Sequence, residues 1–136
     1  MFLNFSYDAE GDILEVIFDE TKHRRQVRQR AFRLRQGIML YVATESNEPV
    51  QLTLVNYRRL LPFPQIDFEG WRKLKASDKA LLQPIMTSPA VSAFLKLDPK
   101  TGYGYIASPN MPEILALAAG DFFTSVRTPS LSVFNS

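Results

Sequence analysis

Cysteine is absent from the whole chain. That excludes disulfides, thiolate metal sites and a cysteine nucleophile, and it fits a reducing compartment. Histidine occurs once, at His23, so a metal set could only be built from oxygen ligands. Arg24 and Arg25 follow it and disfavour its charged form. A lone histidine among cations reads as an exposed turn residue. No apolar run reaches the roughly 18 residues that a membrane span needs. The opening MFLNFSYDAEGD has no basic region and meets acid by Asp8, so we expect no secretory signal and a cytoplasmic location. The G-x-S-x-G, G-x-x-x-x-G-K and G-x-G-x-x-G signatures are all missing. Gly102-Tyr103-Gly104 is a hairpin feature and not a dinucleotide loop. We therefore assign no catalytic residue, no metal ligand and no cofactor.

What is present is an ordinary globular composition. The chain is 46% hydrophobic and 22% charged over 136 residues, which suits one domain with a real core. Net charge is only +2, yet it is unevenly placed. Residues 1–20 hold six acids (Asp8, Glu10, Asp12, Glu15, Asp19 and Glu20) and no base. Residues 22–35 hold Lys22 and six arginines and no acid. Segregation this sharp points to internal acid–base pairing or to a surface with a strong local field.

The first sixty residues read as four or five antiparallel strands in a meander. Leu3, Phe5 and Tyr7 alternate with polar residues. DAEGD, 8–12, is turn chemistry, with Gly11 expected to supply positive φ. ILEVIF, 13–18, is β-branched and aromatic and completes a hairpin. Residues 31–36 alternate again, and Gly37 breaks the run. IMLYVA, 38–43, and VQLTLVNY, 50–57, are the remaining strands. Leu61-Pro62-Phe63-Pro64 changes the character, because two prolines deny ladder donors. Eight of the nine prolines lie from here on. Asp67 could cap a helix over 68–75, and Ser77 one over 78–86 that Pro84 would kink or shorten. Ser88-Pro89 is a cap followed by a first helical position. FLKLDPKTGYGYI, 94–106, reads as a hairpin with Gly102 in the left-handed region. Pro112 opens a last helix ending at Gly120.

We therefore expect an α+β fold in a single domain over 1–136. It comprises a β-meander half (1–60), a proline connector (61–66), a helix and hairpin half (67–120) and a tail (121–136). Phe5, Leu14, Val16, Phe18, Phe32, Leu34, Leu40, Leu52 and Leu54 should build the core.

The arginine run is the main candidate site. Arg24, Arg25, Arg28, Arg30, Arg33 and Arg35 could grip a nucleic acid, because guanidinium forks meet phosphate oxygens in pairs and neutralised phosphates release counterions. On a strand Arg33 and Arg35 share the solvent side about 7 Å apart, and Arg28 and Arg30 share the other. The plainer reading is structural: the run pairs across strands with the acids of residues 8–20, or it keeps an edge strand soluble. Two further constellations read as packing and turn chemistry. Residues 86–106 have the order of a recognition helix and wing, yet Ser88, Ser92 and Lys96 offer little to base edges. Asp8, Glu10 and Asp12 alternate, but Gly11 and Glu15 are misplaced for a calcium loop.

The stretch Phe5-Ser6-Tyr7-Asp8-Ala9-Glu10-Gly11-Asp12-Ile13-Leu14-Glu15-Val16 resembles the start of a small bacterial family, domain-of-unknown-function family 2283. Gly37-Ile38-Met39-Leu40-Tyr41 and Val50-Gln51-Leu52-Thr53-Leu54-Val55-Asn56 look like the last two strands of that family. The final turn departs from its pattern, with Thr44-Glu45-Ser46-Asn47-Glu48-Pro49 in place of an Asp and Gly. The resemblance covers residues 4–60. It implies a small antiparallel sheet with packed helix, and it carries over no functional residue.

Two functions of different class follow. The first is a non-enzymatic interaction or assembly module, self-associating through an exposed sheet edge or face, or holding a protein partner. The alternative is a nucleic-acid-binding accessory protein using the arginines. An enzyme ranks third, with no reaction to name.

Overall fold

The structure is a computed structural model that describes residues 4–18 and 27–109. Five strands, β1 (Asn4–Asp8), β2 (Ile13–Ile17), β3 (Gln29–Arg35), β4 (Ile38–Ala43) and β5 (Pro49–Val55), form one antiparallel sheet. Each carries the alternation expected of a half-buried strand, with one side apolar and sealed. The strands are those expected, but their order departs from a simple meander. It runs β1-β2-β5-β4-β3, so β5 inserts beside β2 and β3 is left at the far edge. The sealed faces of β2 and β5 explain the pairing. Leu14 lies opposite Leu54 and Val16 opposite Leu52, all fully buried, and cross-strand apolar pairs of this kind fix register.

The turns correct one expectation. Asp12, not Gly11, takes the left-handed backbone between β1 and β2, with φ 53°. Its carboxylate holds it there through the Tyr7 hydroxyl and the Arg58 and Arg59 N–H groups. Gly37, φ 84°, turns β3 into β4, and a bulge shifts the register between Arg33 and Arg35.

The second half holds short elements: α1 (Tyr57–Leu60), β6 (Ile66–Asp67), α2 (Glu69–Arg72), α3 (Ala76–Met86), α4 (Pro89–Ser92), β7 (Leu95–Leu97) and β8 (Tyr103–Ile106). β6, β8 and β7 make a second antiparallel sheet, in that order. The stretch expected to be only a connector thus yields a strand at its end, Ile66. The predicted helix over 68–75 is a single turn. Asp67 does not cap it; its carboxylate is engaged by Arg72 instead. Pro84 does not shorten α3, which runs on to Met86 with the proline inside. Pro89 opens α4 as expected, and Gly102 turns the β7–β8 hairpin at φ 78°. The helix from Pro112, the 121–136 tail and His23 lie outside the described residues.

All nine predicted core residues are buried. They join Phe68, Trp71, Leu82, Val91 and Phe94 from the second half in one hydrophobic cluster. The two sheets and the helices therefore share a core. Trp71, the only tryptophan, is sealed and donates Nε1–H to the Pro99 carbonyl at 3.1 Å, which ties α2 to the hairpin. Among the described residues no helix is long and apolar enough to cross a membrane.

Candidate functional site

Arg28, Arg30, Arg33 and Arg35 lie on or just before β3, while Arg24 and Arg25 lie outside the described residues. The four do not form one stripe. Arg30 shares the side of Phe32 and covers that ring at 4.7 Å, whereas Arg33 points from the opposite side of the strand. Both are engaged by acids of the second half: Arg30 meets Asp78 of α3 at 3.2 Å, and Arg33 meets Glu69 of α2 at 3.4 Å. The expected pairing with the acids of residues 8–20 is not formed by these two arginines. The strand order sets β1 and β2 at the opposite edge from β3. Arg35 is half-buried, and its Nε, sealed from solvent, finds no acceptor among the described residues. Arg28 is exposed, and its carbonyl accepts from the Thr44 N–H at 2.9 Å. Exposed ion pairs contribute at most about 1 kcal/mol each. They dock the helices against the edge strand more than they stabilise it.

The edge itself is obstructed. Gly70 of α2 lies so close to β3 that a Cβ there would overlap the Arg33 carbonyl oxygen and the Leu34 backbone. A strand seeking to extend the sheet at that point would meet α2.

The side of the large sheet turned away from the core presents a second set of side chains. The registers lay its side chains in rows. One row runs Asn4, Ile17, Gln51, Tyr41, Ala31. The next runs Ser6, Glu15, Thr53, Met39, Arg33, and a third begins Asp8, Ile13, Val55. None of these residues is buried, and none belongs to the core cluster. Ile13, Ile17, Met39, Tyr41 and Val55 give this face apolar side chains around Gln51 and Thr53 of the central strand, where Gln51 Nε2 donates to Thr53 Oγ1 at 3.0 Å. The margins carry opposite charge, with Asp8 and Glu15 on the β1–β2 side and Arg33 on the β3 side.

The acidic turn is a structural knot. Asp12 accepts from the Tyr7 hydroxyl at 2.7 Å, the Arg58 N–H at 2.9 Å and the Arg59 N–H at 3.3 Å. It thereby caps α1 across 46 residues of sequence. Burial alone would raise its pKa. The hydrogen bonds from Arg58, Tyr7 and Arg59 outweigh that and hold the carboxyl below its usual value. Asp8 accepts from the Glu10 N–H at 3.1 Å, an Asx turn. Among the described residues no cluster of acids and histidine is arranged for a metal.

The region with the order of a recognition helix and wing is packing. α4 has only four residues, and its Ala90 and Val91 are buried. A second surface was missed by sequence reasoning, on the outer side of the small sheet. Tyr103 and Tyr105 stand there exposed, with Lys96 opposite Tyr105 and the Arg72 guanidinium 5.3 Å from the Tyr103 ring. Their alternation along 103–106 was a usable signal; the approach of Arg72 was not. No family model matches the chain, and neither the curated proteins nor the solved structures contain a significant match to it.

Proposed function

We propose that this chain is a non-enzymatic assembly module that pairs with a second copy through the outer face of its five-stranded sheet. One observation carries the reading: that face sets apolar side chains of β2 and β4 on either side of the central Gln51 and Thr53, between an acidic margin and a basic one. Consider a twofold axis lying between two such faces and parallel to the strands. It sets β5 over β5 and lays the β1–β2 margin of each copy over the β3–β4 margin of the other. Glu15 then falls over Met39 of the second copy, one strand from its Arg33, twice by symmetry, while Ile17 meets Tyr41 and Gln51 and Thr53 meet their own counterparts in the middle. A patch that complements itself in this way is what an isologous dimer requires. The obstruction of β3 by Gly70 favours the face over that edge.

Nucleic-acid binding through the arginine run has less support. Arg30 and Arg33 leave opposite sides of the strand, so they do not present a row of phosphate ligands.

Sedimentation velocity over a micromolar concentration series tests the proposal. A concentration-dependent monomer–dimer equilibrium supports it. A monomer throughout, to hundreds of micromolar, rejects it.

A further inference from the structure

The small sheet carries a surface of different chemistry. Among the described residues only three large apolar or aromatic side chains are exposed: Phe63, Tyr103 and Tyr105. Two of these are on β8, two residues apart, so their rings rise from the same side at a spacing of about 7 Å. Tyr103 is 38% exposed and Tyr105 is 42% exposed, while Gly104 and Ile106 between and beyond them turn inward. Lone exposed aromatics need no explanation, but a pair on one strand face with cations on both flanks does.

The cations are placed by identifiable contacts. Arg72 Nη2 donates to Asp67 Oδ2 at 2.9 Å, and Nη1 lies 2.7 Å from Oδ1. That fork fixes the guanidinium over the Tyr103 ring. Gly102 makes room for it: a Cβ there would come within 2.6 Å of Arg72 Cγ, and φ +78° already favours glycine. Lys96 is directly opposite Tyr105 across the β7–β8 ladder, and exposed Lys100 sits in the hairpin turn. Beside Tyr103 an open cleft of about 370 Å³ is lined by Gln65, Asp98 and Thr101 among others. These are short polar groups able to meet base edges.

We infer that the outer face of the β6–β8–β7 sheet is a binding site for single-stranded nucleic acid, with two unstacked bases lying on Tyr103 and Tyr105 and the backbone held by Lys96 and Lys100, while Arg72, neutralised by Asp67, steadies the Tyr103 ring. Sheets that hold single strands do so by presenting aromatics at alternating positions, since every base has a π-face and stacking tolerates sequence. The site is independent of the arginine run and of the dimer face. It is weakly charged, because Asp67 and Asp98 lie beside its cations, so stacking must carry most of the affinity.

That weakness separates it from a phosphate grip. Two phosphate contacts on a single strand give a log–log salt slope of about −0.7 per contact, so affinity falls about 7-fold between roughly 50 and 200 mM salt. Six contacts from the arginines would give a fall of about 300-fold by the same rule.

The test is fluorescence anisotropy of the full chain with a labelled oligo(dC) 12-mer at these two salt concentrations. Circular dichroism on each variant verifies folding. The account predicts binding with the shallow salt dependence. It predicts a loss of about fivefold or more for Tyr103→Ala and again for Tyr105→Ala, with Tyr103→Phe and Tyr105→Phe close to the parent because the ring is kept. No binding at the lower salt would overturn it. So would binding that ignores both alanine substitutions, or tyrosine-dependent retention on a neutral polysaccharide without affinity for the oligonucleotide.

Discussion

Gly70 and the carbonyl of Arg33 occupy adjoining space with no allowance for a side chain between them. This contact seats α2 on the edge strand and closes one edge of the large sheet at its bulge. Bulges and covering elements are common devices for protecting an edge.

Gly70→Ala should therefore destabilise by roughly 1–3 kcal/mol, the usual cost of forcing an extra methyl into a packed contact. Urea unfolding measures it. An unchanged midpoint would mean that α2 can lift from β3 at no cost.

Asp12 should matter more than its exposed position in a turn suggests. Asp12→Ala removes a cap and the acceptor for Tyr7, and a loss of about 1–2 kcal/mol is expected in urea unfolding. The pH dependence has a definite sign. The folded carboxyl is held below its usual value. Its contribution is full above the unfolded value of about 4 and is lost as pH falls through the folded one. The stability gap between the parent and Asp12→Asn should accordingly shrink below about pH 4 and stay constant above about pH 5.

Trp71 provides an internal reporter. It is the sole tryptophan and is 1% exposed, so its emission should be blue-shifted when folded and move to the red on unfolding. Trp71→Phe removes the five-membered ring together with its N–H, leaving a small void and the Pro99 carbonyl without its donor, at a cost of roughly 1–3 kcal/mol. A variant as stable as the parent would show that this bond does not tie α2 to the hairpin.

Much of the fold was legible in the residues. The alternation of Leu14, Val16 and Phe18, or of Leu52 and Leu54, depends only on the two-residue period of a strand, and the nine positions it assigned to the core are all buried, though Ile38, Val42, Trp71 and Phe94 also belong there. The strand order was not legible, because nothing local to β2 distinguishes β5 from β3 as a neighbour. Asp12 took the backbone role expected of Gly11 because its carboxylate meets N–H groups 46 and 47 residues away. β6 is two residues long, too short for any periodicity to mark. The arginine cluster was conspicuous in sequence, yet its partners Glu69 and Asp78 are 36 and 48 residues distant from Arg33 and Arg30. Alternation could place the side chains on a face; it could not say which acids lay across from them.

The most direct test of the assembly proposal is a charge swap read by sedimentation equilibrium. Glu15→Arg alone should shift the protein toward monomer, because it sets like charges together across the twofold axis. With Glu69→Gln as the background of every protein compared, so that no like charge meets α2, combining Glu15→Arg with Arg33→Glu should restore the dimer, since the margins are then exchanged and remain complementary. Recovery in the double variant is the result predicted here. A dimer indifferent to Glu15→Arg, or a double variant no better than the single, would contradict pairing through this face.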